Sequence, residues 1–175
     1  MQISEKIIGN TIHLCGIPSD CISPDYIEWM QDSEVNRFLE TRHEEWTLCK
    51  IQDFVQKQND SSDQLLLGIF VGQTHIGNIK LGPINSIHKV ATISLIIGNK
   101  NYWGKGIATE AITLIKNYAF DKLGIKKLTA GLYANNLGSL KAFLKAGFSL
   151  EGIFKNHYYS VEGTRTDLLH VGCTL

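Results

Sequence analysis

Between Gln64 and Leu123 the hydrophobic period of the chain changes once, and that change restricts the folds open to it. Gln64–Val71, His75–Leu81 and His88–Gly98 read as strands. Gly72-Gln73-Thr74 and the breakers Gly82-Pro83 and Asn85-Ser86 separate them, so the three make an antiparallel meander. Ile107–Leu123 then carries apolar residues at helical spacing. Ile107, Ala108, Ala111, Ile112, Ile115 and Ala119 mark its buried stripe, and Gly124 ends it. Another strand is expected over Lys126–Tyr133. A strand–helix–strand crossover within one sheet is almost always right-handed. His88–Gly98 and Lys126–Tyr133 should therefore lie parallel inside a mostly antiparallel sheet.

The flanking segments complete the pattern. Lys6–Cys15 reads as a first strand. Ser23-Pro24 is a hydroxyl N-cap followed by proline at the first helical position, opening a helix over Asp25–Gln31. A short helix follows over Glu34–Glu40, and Thr47 caps a third to about Lys57, with Leu48, Ile51, Phe54 and Val55 on one face. After Tyr133 come a helix over Asn136–Ala146, a strand over Phe148–Phe154, and a hairpin of Tyr158–Glu162 with Arg165–Gly172 around Gly163. The expected fold is one α+β domain over residues 1–175, a twisted, mostly antiparallel sheet with helices on both faces.

Composition narrows the partners. The 17 basic and 17 acidic residues cancel, whereas a protein that grips nucleic acid by counterion release carries a basic surplus. No segment is apolar for long enough to span a bilayer, and Met1–Asn10 lacks the pattern of a signal peptide. The expectation is a cytoplasmic protein that binds neither nucleic acid nor membrane. Cys15, Cys21, Cys49 and Cys173 form no C-x-x-C, and there is no H-E-x-x-H, so no metal is expected.

Asn101-Tyr102-Trp103-Gly104-Lys105-Gly106-Ile107-Ala108-Thr109-Glu110 lies between an expected strand and an expected helix. Glycines there admit positive φ and close approach to a ligand, while the first helical turn offers unpaired N–H groups and the positive end of the helix dipole. Together these suit a pyrophosphate. The P-loop pattern G-x-x-x-x-G-K-[ST] is absent. The dinucleotide pattern G-x-G-x-x-G has Thr109 in place of its last glycine, and too little chain follows for a second nucleotide-binding half. Asn136 and Ser139 open a second helix at the same edge of the sheet, as caps or as ligand contacts.

Tyr102-Trp103-Gly104-Lys105-Gly106-Ile107-Ala108-Thr109-Glu110-Ala111, Asn136-x-x-Ser139 and Gly147-Phe148-x-x-Glu151-Gly152, in this order, resemble the GNAT superfamily of acetyl-CoA-dependent N-acetyltransferases, in its RimJ/RimL-like branch. The resemblance runs from about Ile7 to Cys173. It implies that Gly104, Lys105, Gly106, Ile107, Ala108 and Thr109 hold the coenzyme A pyrophosphate, with Trp103 beside them. It also implies that Leu95, Ile96 and Ile97 bond the pantetheine arm on a strand splayed from Lys126–Tyr133. Asn136 and Ser139 would contact the coenzyme near the thioester. The amine would attack the acetyl carbonyl directly, with a backbone N–H near Ile97 stabilising the oxyanion.

The sequence departs from the family pattern at three positions. Asn101 stands where Arg or Gln is frequent, Phe143 where many members carry an acidic Tyr, and Thr92 where many carry Glu. A thiol with a pKa of about 8.5 leaves with little help, with Ser139 or water as proton donor. An alkylammonium must lose its proton before it can attack. His88 and Glu40 are the main candidates to receive it; His75 and Glu151 are weaker ones. By family analogy Asp25–Glu45 forms a wall of the acceptor site, where Phe38, Glu40 and Arg42 suit a small polar amine and Arg42 suits an acceptor phosphate or carboxylate. The expected acceptor is a small amine such as a nucleotide-linked amino sugar. The alternatives are the N-terminus of a ribosomal or other protein, or a non-catalytic acyl-CoA sensor. A homodimer is left open.

Overall fold

The computed structural model describes residues Met1–Leu175. Eight strands form one sheet in the order β1-β2-β3-β4-β5-β6-β8-β7: β1 Ile7–Ile8, β2 His13–Gly16, β3 Leu65–Val71, β4 Thr74–Asn85, β5 Val90–Ile97, β6 Lys127–Tyr133, β7 Ser149–Tyr159 and β8 Arg165–Thr174. All neighbours are antiparallel except β5 and β6, which the crossover makes parallel. The helices are α1 Pro24–Gln31, α2 Ser33–Asn36, α3 Leu48–Asp60, α4 Ile107–Asp121 and α5 Leu137–Lys145. No helix is long and apolar enough to cross a membrane.

Helix starts follow local chemistry. Ser23 accepts from the Asp25 N–H, Asp32 from Glu34, Thr47 from Lys50 and Asn136 from Ser139. A side-chain cap of this kind contributes about 1 kcal/mol. Helix α4 starts differently, at Gly106 with φ 81° and no side-chain cap.

Strand alternation sends side chains to two faces. Leu65, Leu67, Ile79, Leu81, Ala91, Ile93, Leu128 and Ala130 pack against Ile107, Ala111, Ile112 and Ile115 of α4 and Phe143 of α5, forming the larger core. On the other face Leu66 meets Ile51 and Val55 of α3, together with Tyr26, Trp29 and Met30 of α1. Of the expected stripe on α4 only Ala108 stays half-exposed.

Several boundaries differ from expectation. Lys6–Cys15 is a hairpin, not one strand, because the chain turns at Gly9 and the Glu110 carboxylate accepts from the Thr11 N–H in that turn (2.9 Å). The second short helix stops at Asn36, and Glu40–His43 form a 3-10 turn. Strand β4 passes through Gly82-Pro83 by a shift of register rather than ending there. Phe148–Phe154 and Tyr158–Glu162 join in the single strand β7. Its irregular stretch is held by Asp167, which accepts from the Asn156 N–H (2.8 Å), and by Arg165, which donates to the Asn156 carbonyl (2.9 Å).

Candidate active site

Strands β5 and β6 pair for only three residues, Val90 with Lys127, Ala91 with Leu128 and Thr92 with Thr129. At the last pair the two threonine hydroxyls lie 3.2 Å apart. Beyond them the strands part, and the ends leading to Ile97 and Tyr133 border a cleft. The Gly98 N–H donates to the Ile76 carbonyl on β4 (2.9 Å). Successive residues of a strand turn their main-chain groups to opposite sides. Ile96 therefore faces β4 with Gly98, while Leu95 presents its N–H and C=O, and Ile97 its N–H, to the cleft. Ile96 was expected among the cleft-facing groups; its main chain belongs to the β4 ladder, and its side chain packs against the smaller core.

The turn after β5 leads to the mouth of this cleft. A 3-10 turn over Lys100–Tyr102 brings Trp103 back, and its indole N–H donates to the Ile97 carbonyl (2.7 Å). Gly104 (φ 72°) and Gly106 (φ 81°) both take the left-handed conformation, and a Cβ at either would meet nothing within 4 Å. The backbone N–H groups of Gly104, Lys105 and Gly106 have no partner. Those of Ile107, Ala108 and Thr109 are the first-turn groups that a helix leaves unbonded. Six consecutive donors thus open outward at the positive end of α4, the chemistry of an anion cradle. Lys105 reaches back over the Tyr102 ring at 5.8 Å.

At the cleft's other lip, Tyr133 ends β6 on the face opposite α4. It is buried, stacked on Tyr158 (4.4 Å between centroids) and tilted against Phe38 (5.7 Å). Its hydroxyl accepts from Arg42 (2.7 Å) and donates to the exposed Glu40 carboxylate. Burial and the Glu40 hydrogen bond push the phenol up to about 12, against the opposing pull of Arg42. Arg42 also donates to the Leu39 carbonyl (2.9 Å) and the Tyr159 carbonyl (2.8 Å), and its side chain is 7% exposed. Arg42, expected at the acceptor site, uses its guanidinium to tie the Glu40–His43 turn to β6 and β7. Beside Tyr133 is a pocket of about 100 Å³ that also borders Phe38, Asn135, Arg37 and Glu162.

Other expected residues fall variously. His88 is exposed in the turn before β5, and its N–H donates to Asn85 Oδ1 (2.9 Å). From Val90 to Ile97 the strand covers roughly 23 Å at about 3.3 Å per residue. His88 is thus at the wrong end of β5 to serve a reaction at the cleft. Ser139 sits in the first turn of α5, next to the β6 end, and its N–H is the one Asn136 caps (3.2 Å). Phe143 is buried edge-to-face against Phe148 (5.0 Å) and Thr92 is bonded to Thr129, so neither supplies an acid or a base. His75 is buried among Tyr26, Trp29 and Phe70, with Nε2 2.9 Å from Asn78 Oδ1. Glu151 is paired with Lys127. Tyr133, Arg37, Asn135 and Glu162 were not singled out from the sequence. Strand alternation alone could have placed Tyr133 on the face of Thr129.

Residues 18–149 match the model of the acetyltransferase (GNAT) domain. The chain belongs to this family. Among curated relatives, "Probable N-acetyltransferase YjcK" of Bacillus subtilis is 34% identical over 105 residues, 58% of each chain. Spermidine N(1)-acetyltransferase of Escherichia coli K12 is 34% identical over 83 residues, 47% of this chain and 44% of that one. The chain spans about half the length of these relatives. Among solved structures, RimL, a ribosomal L7/L12 α-N-protein acetyltransferase in complex with coenzyme A, superposes with a TM-score of 0.87 over 98% of both chains at 17% identity. That likeness establishes the GNAT fold, with its mostly antiparallel sheet and one parallel pair.

Proposed function

We propose that this GNAT protein transfers the acetyl group of acetyl-CoA to a primary amine of a small molecule. The observation that carries this reading is the cleft below the Thr92–Thr129 pair, which ends at six free backbone donors. In this reading the N–H groups from Gly104 to Thr109 hold the pyrophosphate and Trp103 walls the arm. Leu95 and Ile97 bond the pantetheine amides, and the start of α5 at Asn136 and Ser139 borders the thioester. The Ile97 N–H stabilises the oxyanion.

Glu40 receives the proton of the acceptor ammonium, directly or through water, before the nitrogen attacks the acetyl carbonyl. The C–N bond forms, the C–S bond breaks as the nitrogen gives up its second proton to solvent, and the sulfur leaves as a thiolate that takes a proton from solvent. With a pKa near 8.5 it leaves without a dedicated acid, which suits the phenylalanine at position 143. The nucleotide-linked form of the acceptor loses its support, because Arg42 is already bonded within the fold. Small-amine acceptors have a precedent in the relative described as a spermidine N(1)-acetyltransferase.

Release of free thiol from acetyl-CoA, measured across amino sugars, polyamines, amino acids and peptides, tests the reading. Turnover with a small amine supports it. Selective turnover of peptides would favour a protein N-terminus. Tight acetyl-CoA binding without thiol release would favour a sensor, the reading prompted by Phe143 and Thr92.

A further inference from the structure

The pocket beside Tyr133 carries two opposite charges that do not meet. Arg37 follows α2, and Glu162 lies in the turn between β7 and β8. Both line the same cavity of about 100 Å³, yet no guanidinium nitrogen of Arg37 comes within 4 Å of a carboxylate. Arg37 instead stands over the Phe38 ring, 4.7 Å from its centroid. The Glu162 carboxyl is held below its ordinary range, first by the Ser160 side chain, then by its own backbone N–H, and also by the charge of Arg37. The two groups feel each other across a gap instead of closing it. Glu40, which accepts from the hydroxyl of the pocket-lining Tyr133, is a second carboxylate near this wall of the pocket.

We propose that the acceptor is a zwitterion of the α-amino-acid type, a molecule with an ammonium and a carboxylate on one carbon. This rests on the acetyl-transfer reading above and names its substrate class. The acceptor carboxylate pairs with Arg37, whose planar fork matches it in two parallel hydrogen bonds. The ammonium lies between Glu162 and Glu40, at the lip where the cleft ends. Phe38 and Tyr133 form the apolar wall, and Asn135 faces the head group. Acetylation removes the positive charge and leaves a product that is only an anion, facing two carboxylates. The charge pattern that draws the substrate in therefore expels the product. A polyamine has nothing for Arg37, and a peptide N-terminus has an amide where the carboxylate should be.

The test uses the full chain and thiol release from acetyl-CoA with matched acceptors: an α-amino acid, its amide and its decarboxylated amine, across several side chains. The expected result is at least one amino acid with a kcat/KM tenfold or more above its amide and its amine. Arg37→Ala should raise the KM for that acid about 10- to 100-fold, the range of a lost charge-assisted pair. It should leave KM for the amide and for acetyl-CoA unchanged, and Arg37→Lys should restore part of the loss. Equal or better turnover of the amides or amines overturns the proposal while acetyl transfer stands. So does an Arg37→Ala effect shared by all three acceptors. Absence of thiol release with every amine overturns acetyl transfer itself, and this proposal with it.

Discussion

The Tyr133 hydroxyl receives a hydrogen bond from Arg42 and passes one on to Glu40, joining the end of β6 to the turn that carries the carboxylate. Glu40 is therefore a held group, though its side chain is 63% exposed. Glu40→Gln should lower kcat about 100-fold, in the range seen for proton-transfer groups, with little change in acetyl-CoA affinity. Tyr133→Phe should lower it less, about tenfold, since the carboxylate remains but swings. With its phenol at about 12, Tyr133 stays protonated at working pH. A basic limb of the pH–rate profile between pH 8 and 10 should thus survive Tyr133→Phe. Its disappearance in that variant would show that the tyrosine itself titrates.

The cradle makes a separate prediction about affinity. Gly104→Glu should abolish acetyl-CoA binding by calorimetry while circular dichroism stays unchanged, because the side chain has room but brings a negative charge to an anion site. Gly104→Ala keeps the donors and adds only the strain of a left-handed residue, about 1–2 kcal/mol. It should lower Tm and weaken binding modestly. Unchanged affinity in Gly104→Glu would remove the loop from the coenzyme site.

These two predictions differ in how far the sequence foretold them. The glycine loop is legible because its meaning is local: two glycines, a strand before and a helix after suffice to define it. The parallel pair and the helix caps are legible for the same reason. Arg42 misleads because nothing in its own segment shows that Tyr133 and the Tyr159 carbonyl lie beside it. Arg37, Tyr133 and Glu162 come from three distant segments, and each alone reads as an ordinary surface or strand residue. His88 fails on distance: it precedes β5, whose start at Val90 lies nearly a strand's length from the end at Ile97 that borders the cleft.

Behind the cleft, Gly98 admits the ring of Trp29. A Cβ at Gly98 would fall inside that indole, which is itself buried and edge-on to His75 (5.0 Å). Gly98→Ala should destabilise the fold by about 3 kcal/mol, the upper part of the range for overpacking a core. Urea denaturation followed by tryptophan fluorescence would measure it. A loss below 0.5 kcal/mol would mean that Trp29 moves aside freely.

His75 gives the fold an acid sensitivity. Burial lowers its pKa below 6.5, against the opposing pull of its hydrogen bonds to Asn78 Oδ1 and with the Gly77 backbone and of the Asp25 charge. Above pH 6.5 the ring is neutral in both folded and unfolded chains and contributes no pH dependence. Below it the unfolded chain binds a proton that the folded one resists, so stability falls with pH until the lowered folded value is reached. The wild type should therefore lose more Tm between pH 7.5 and 5.5 than His75→Gln. Equal losses would show that other groups set the acid response.

Within the sheet, strands β1–β5 and β6–β8 are joined by only the three rungs at Val90–Thr92, while α4 packs across both halves from one face. A molecule that bonds to both free margins below those rungs would stand in for the missing ladder and complete the seam.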